Sequence, residues 1–343
     1  MEIVKERFGS AYDGTTIDKI RITNANGVCM ECMSYGATLL SLQTPGKKND
    51  FDDVVLGFDT FDEYLKPHPY VGATIGRVAG RIAAGEFSIG GRSYHLDQNS
   101  GGHHYNGGRN GFDKSIWIPE IFGNGEEAGV IFRRISEDGE EGYPGNLDVQ
   151  VTYALNDRNE LALRYWASSD RATPVNLTNN IFWNLGGKGS VLNHKLRINA
   201  DRYLPEDEYG VPMGDALSVK NTPMDFSQAR LIGREIKFVP GGYKECYVLK
   251  DAETRLRPAA ILNHPESGRT VEVYTTKPGL VMYPATNMKE MTGKKGMRYG
   301  AHSGVALQPV FFPDYVNHSE FLGEILRPKE EYQQETVLRF SVR

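Results

Sequence analysis

Apolar residues recur along the chain with a period of two. Ile20 and Ile22 alternate with polar neighbours, and Val28, Met30 and Cys32 continue the pattern. Leu147, Val149, Val151, Tyr153 and Leu155 form a longer run of the same kind. Asn156-Asp157-Arg158-Asn159 interrupts it, and Leu161, Leu163 and Tyr165 resume it. Successive side chains of an extended strand point to opposite faces, so this alternation predicts half-buried strands. The two long runs and their polar tetrapeptide predict an antiparallel hairpin. Val271 and Val273 open a further strand after Glu266-Ser267-Gly268, and Leu338, Phe340 and Val342 form the last. Helical signals are confined to two short turns, at 61–65 and 226–231.

Strand signals continue at similar density from end to end, with Gly and Pro marking the turns between them. No repeat of fixed period, low-complexity tract or linker-like break divides the sequence. A length of 343 residues taken alone suggests two domains. The unbroken pattern instead predicts one all-β domain over 1–343, a large antiparallel sandwich or barrel.

Charge changes the picture little. With 39 Lys and Arg against 44 Asp and Glu, the formal net charge is −5, and no basic block offers a footprint for nucleic acid. No apolar run is long enough to cross a bilayer, and the polar start Met1-Glu2-Ile3-Val4-Lys5-Glu6-Arg7 lacks an apolar signal core. These features predict a cytoplasmic protein with no nucleic-acid or membrane partner; they leave a small-molecule ligand as the partner class and do not decide between monomer and homodimer. The three cysteines are Cys29, Cys32 and Cys246. Cys29 and Cys32 form a C-x-x-C, but their segment reads as a strand, where positions three apart face opposite sides, and no second Cys/His pair lies at zinc spacing. Buried thiols are expected, with neither metal nor cofactor.

Several stretches, taken in order, resemble the aldose 1-epimerase (galactose mutarotase) family. They begin with Gly72-Ala73-Thr74-Ile75-Gly76-Arg77-Val78-Ala79-Gly80-Arg81-Ile82 and Gly107-Gly108-Arg109-Asn110-Gly111-Phe112-Asp113-Lys114 with Trp117. Glu141-Gly142-Tyr143-Pro144-Gly145-Asn146-Leu147 and Thr173-Pro174-Val175-Asn176-Leu177-Thr178-Asn179 follow. Ala200-Asp201-Arg202-Tyr203-Leu204-Pro205, Asn221-Thr222-Pro223-Met224-Asp225-Phe226 and Phe312-Pro313-Asp314 with Asn317-His318 complete the series. Seven motifs in register, covering almost the whole chain, make the resemblance specific. It implies a single β-supersandwich with an open polar cleft on one sheet.

The resemblance also implies a chemistry. Exchange of anomers needs a base on the C1 hydroxyl and an acid at the ring oxygen, both able to change protonation near neutral pH. The family uses a glutamate and a histidine for these tasks, and a second histidine and an aspartate to hold hydroxyls. Carried over by motif, the hydroxyl-binding histidine falls on Asn106 and the acid histidine on Asn180. The aspartate falls on Lys244, and the base glutamate on Gln308. The arginine of the A-G-R-I stretch is retained as Arg81. Amides keep hydrogen-bonding capacity and lose titratability, so these exchanges suggest a polar cleft retained for another use.

Lys244 and Arg81 together suggest an anionic ligand, or a lysine acting as base or Schiff-base nucleophile. A plain ion pair of Lys244 with Glu245 or Asp113 is the alternative. Phe182 and Trp183 are candidates to stack on a ring, though at least one is expected in the core. Adjacent His103 and His104 point opposite ways on an extended segment, so at most one is expected to face the cleft. The main functional expectation is therefore a repurposed, non-mutarotase isomerase or cyclase of carbonyl or hydroxyl compounds. The alternatives are a silent carbohydrate- or acid-binding protein, and an aldose 1-epimerase working through substitute residues.

Overall fold

The computed structural model describes residues 1–251 and 255–343. Among these residues, the Leu147–Asn156 and Glu160–Ser169 strands form the antiparallel hairpin expected from their alternation, with Leu155 opposite Leu161. Leu147, Val149, Val151 and Tyr153 are buried on one face while Asp148 lies exposed between them. That hairpin sits inside a nine-stranded sheet, counted over the described residues. The C-terminal strand, Tyr332–Val342, lies in its middle, bonded to Glu160–Ser169 on one side and Arg269–Thr275 on the other. A five-stranded meander runs in chain order from Glu2–Ser10 to Phe51–Asp53, again among the described residues.

A third sheet, of six described strands, is ordered Phe182–Trp183, Val305–Val310, Gly279–Tyr283, Cys246–Leu249, Ala200–Leu204 and Leu217–Ser218. One hydrophobic cluster joins all three sheets. It takes Ile20, Ile22 and Met30 from the meander, Val149 and Phe340 from the large sheet, and Leu280, Met282 and Leu307 from the third. Each fully buried aliphatic side chain of this kind contributes roughly 1.5–3 kcal/mol relative to exposure. The period-two pattern therefore builds an all-β sandwich in which three sheets share one core.

Helix is sparse among the described residues. Phe61–Tyr64 is one short helix, with the Glu63 carboxylate accepting from the Thr60 backbone N–H at 2.9 Å to close a capping box. The turn expected at 226–231 does not form there. Arg230 and Leu231 join the edge of the large sheet, and a 3-10 turn follows at Ile232–Arg234. Both C-x-x-C cysteines are buried and free, and burial raises each thiol's pKa.

The third sheet matters for the site because its two faces differ. Leu280, Met282 and Leu307 point into the shared core. The intervening residues Val281, Tyr283, Gln308 and Val310 line a cavity on the opposite face.

Candidate active site

The cavity over the six-stranded sheet has a volume of about 360 Å³, within the range that suits a small ligand. Strand alternation brings Val281 and Gln308, which are register partners, to its floor. Cys246 continues the same rung from Val281, and Leu204 lies opposite Cys246. Extending that last register by two residues sets Glu206 opposite Lys244, so the period of two carries both onto the cavity side. They meet there, with the Lys244 ammonium 4.0 Å from a Glu206 carboxylate oxygen.

Hydrogen bonding fixes the direction of the amides. The Pro69 carbonyl can only accept, so Asn180 presents Nδ2 to it at 2.7 Å. Asn180 Oδ1 is left as an acceptor and takes an N–H from Gln308 Nε2 at 2.6 Å. Gln308 therefore offers its own carbonyl oxygen as the free acceptor of the chain. Asn106 stands in left-handed backbone conformation (φ 49°), and its Oδ1 accepts from the Gly80 N–H at 2.9 Å. Its amide thus pins the loop that carries Arg81.

Arg81 comes from the short strand Arg81–Ile82, paired with His104–Tyr105. Its guanidinium lies over the Tyr105 ring, 4.4 Å from the centroid. Arg81 Nη1 is buried with no hydrogen-bond partner among the described residues. A buried guanidinium N–H without a partner is costly, and Arg81 lines the cavity, so this donor is available to an acceptor there. Arg77, the other arginine of the same stretch, is spent on structure: it donates to Ser136, Glu137, Pro144 and Thr173 away from the cavity.

Asn106, Asn180, Lys244, Gln308, Arg81 and Phe182 all line this one cavity, although they are dispersed over more than two hundred residues of sequence. Trp183 does not. On the two-residue strand Phe182–Trp183 the side chains alternate, and the Trp183 ring packs in the main core against Phe340, with centroids 5.9 Å apart. The expected ion pair also differs. Glu245 accepts from the Lys244 backbone N–H, and Asp113 pairs with Lys114 instead. The Lys244 ammonium goes to the Asp207 carbonyl at 2.9 Å and to Glu206.

Neither of the paired histidines lines the cavity. His104 is fully buried, its Nδ1 2.7 Å from the Asp97 carbonyl and its Nε2 2.7 Å from the Tyr143 hydroxyl. That geometry makes Nδ1 the donor and Nε2 the acceptor of a neutral ring, whose pKa burial lowers. His103 accepts from the Ala84 N–H and packs on Tyr209.

Glu206 is the residue that sequence reasoning missed. It follows directly on the Leu204-Pro205 end of a motif used only as a family marker, and its side chain is 8% exposed. Burial pushes its carboxyl up to about 8; Lys244 and Arg81 pull it down, while Glu245 pushes it further up. The signal that finds it is the ladder register, which only the structure supplies: two residues beyond Leu204 and two before Cys246 face each other. A second cavity, lined by Lys19, Arg21, Glu31, Asp53 and Lys294, has these charges tied to each other or to Glu6 in ion pairs.

The model of the family described as aldose 1-epimerase matches residues 18–339 of the chain. The chain belongs to the aldose 1-epimerase family. A galactose mutarotase from Mus musculus is 40% identical over 333 residues, covering 96% of this chain and 95% of that protein. An Escherichia coli aldose 1-epimerase is 35% identical over 338 residues, covering 96% and 97%. Among solved structures, an aldose epimerase homologue from C. elegans superposes with a TM-score of 0.86 at 31% identity, covering 94% of this chain and 98% of its own. These full-length matches to galactose mutarotases and aldose 1-epimerases overturn the expectation of a non-mutarotase isomerase or cyclase. The cleft of this chain carries amides at Asn180 and Gln308 and the Glu206–Lys244 pair.

Proposed function

We propose that this chain is an aldose 1-epimerase that binds a free aldose in the cleft over the six-stranded sheet and interconverts its anomers. The observation that carries this reading is the 40% identity to galactose mutarotases along nearly the whole chain. The cleft supports it. Arg81 Nη1 offers a donor without a protein partner and Gln308 an acceptor, the complementary pair that neutral sugar hydroxyls require. Tyr283, half-buried at the cavity wall and edge-on to the buried Phe182 ring at 6.2 Å, gives the apolar surface that a sugar's C–H face needs.

In this reading Asn180 and Gln308 orient the sugar. Locked to the Pro69 carbonyl, they form a rigid rail that fixes one hydroxyl relative to Arg81, and positioning of this kind lowers the entropic part of the barrier. Neither amide exchanges a proton at neutral pH, so proton transfer falls to other groups. The Lys244 ammonium donates to the Asp207 carbonyl and faces Glu206. Polarimetry on freshly dissolved α-galactose and α-glucose tests the proposal. The optical rotation should relax faster than in buffer, in proportion to protein concentration. A relaxation at the buffer rate, with galactose still bound in a calorimetric titration, would establish a silent carbohydrate-binding protein instead.

A further inference from the structure

We propose that Glu206, facing Lys244 across the cleft wall, is the base that exchanges a proton with the anomeric hydroxyl in this family member, with Lys244 as the paired acid. This inference rests on the epimerase reading above. Both side chains line the cavity that holds Arg81, Asn180 and Gln308. The Glu206 carboxylate and Lys244 ammonium are 4.0 Å apart. The two sugar oxygens that must lose and gain protons are bonded to the same carbon, so a donor and an acceptor within a few ångströms of each other can serve both. Lys244 spends one N–H on the Asp207 carbonyl and keeps two. Beside the pair, Gly210 has φ +84°. A Cβ there would come within 2.8 Å of Arg81 Nε and 3.3 Å of Glu206 Oε2, so glycine keeps the approach to both groups open.

The step balances without a cofactor. Ionised Glu206 takes the proton of the C1 hydroxyl, and the O–H pair becomes the second bond of a C1 carbonyl. The bond from C1 to the ring oxygen breaks with its electron pair on that oxygen, which takes a proton from the Lys244 ammonium. Rotation about C1–C2 turns the other face of the carbonyl to the hydroxyl. Reversal of the two transfers closes the ring and restores carboxylate and ammonium.

The surroundings of Glu206 suit a base near neutral pH. Lys244 and Glu245 face it from the segment before Cys246–Leu249, the Cys246 thiol from that strand, Arg81 and Tyr105 from the paired ribbon, and Asp207 from its own turn. Burial outweighs the two cations and sets the carboxyl near 8, so its basic form grows as pH rises from 7 to 9.

The test is Glu206→Gln, with Glu206→Asp as a conservative control, assayed by anomer exchange in NMR and by galactose calorimetry. The expected result is galactose binding within a few fold of the parent and exchange reduced by ~10²-fold or more, down to the buffer rate. Glu206→Asp should retain part of the activity. Independently, the parent's kcat/KM, corrected for buffer, should rise through pH 8. An active parent with an equally active Glu206→Gln, or with a flat profile from pH 6 to 9, overturns the role of Glu206 and leaves the epimerase reading standing. A parent that binds galactose but exchanges anomers no faster than buffer overturns both.

Discussion

At the residue scale, the cleft shows how environment assigns tasks among polar side chains. Asn180 is held between the Pro69 carbonyl and Gln308 in one directed hydrogen-bond chain that leaves the Gln308 carbonyl oxygen as an acceptor, whereas Glu206 is a carboxyl held away from water beside two cations. That placement has a thermodynamic consequence. The folded carboxyl near 8 lies above its ordinary value of 4.5, so between these pH values the folded protein keeps a proton that the unfolded chain has released. Stability conferred by holding that proton is present at low pH and is lost as pH rises through 8. Urea unfolding at pH 5 and pH 8.5 should therefore show Glu206→Gln gaining stability relative to the parent as pH increases. Parallel behaviour of parent and variant at the two pH values would show that Glu206 is solvated and ionised in the folded protein. The four positions carried over by motif all reach one cavity, but Glu206 was not legible in the sequence. A motif ending at Pro205 says nothing about a residue whose importance comes from a strand register crossing to Lys244.

At the scale of elements, alternation was the reliable signal. It set out the Leu147–Asn156 and Glu160–Ser169 hairpin, and it explains why Gln308 faces the cleft while Leu307 faces the core. It also separates Phe182 from Trp183, neighbours that both looked suited to stacking on a sugar ring. A two-residue strand is too short to show its own period, so the sequence could not say which ring would turn inward. Trp183, fully packed beside Phe340, should behave as a core residue. Trp183→Ala should cost about 3–5 kcal/mol in denaturant unfolding. The folded fraction should retain the parent's KM for galactose. A raised KM with unchanged stability would place the indole in the cleft. The 226–231 segment failed for a related reason: pairing of Arg230–Leu231 with the Lys195–Ile198 strand outweighed a weak local helical preference.

At the scale of the whole molecule, the site depends on the complete sandwich. Its residues come from segments as distant as Arg81 and Gln308, and the cluster beneath it runs from Ile20 to Phe340. The strand that closes the large sheet, Tyr332–Val342, is the last in the chain and lies between partners more than a hundred residues apart in sequence. We propose that residues 1–343 fold as one cooperative domain, with one calorimetric transition whose van't Hoff and calorimetric enthalpies agree. Two separable transitions, or a stable proteolytic half, would contradict it. Continuity of strand signals is the feature of the sequence that predicts this organisation. The three-sheet arrangement was not, because period-two patterning fixes which face is buried and leaves open which sheet covers it.

The proposed aldose 1-epimerase must exchange anomers although Asn180 and Gln308 cannot exchange protons. Polarimetry of fresh α-galactose, run at pH 7 and pH 8.5 with a matched buffer control, tests it most directly. The account predicts a relaxation rate that exceeds buffer in proportion to protein concentration, with the protein-dependent part larger at pH 8.5 as the Glu206 carboxyl ionises. A protein-dependent rate of zero at both pH values, from a folded protein that still binds galactose, would contradict it.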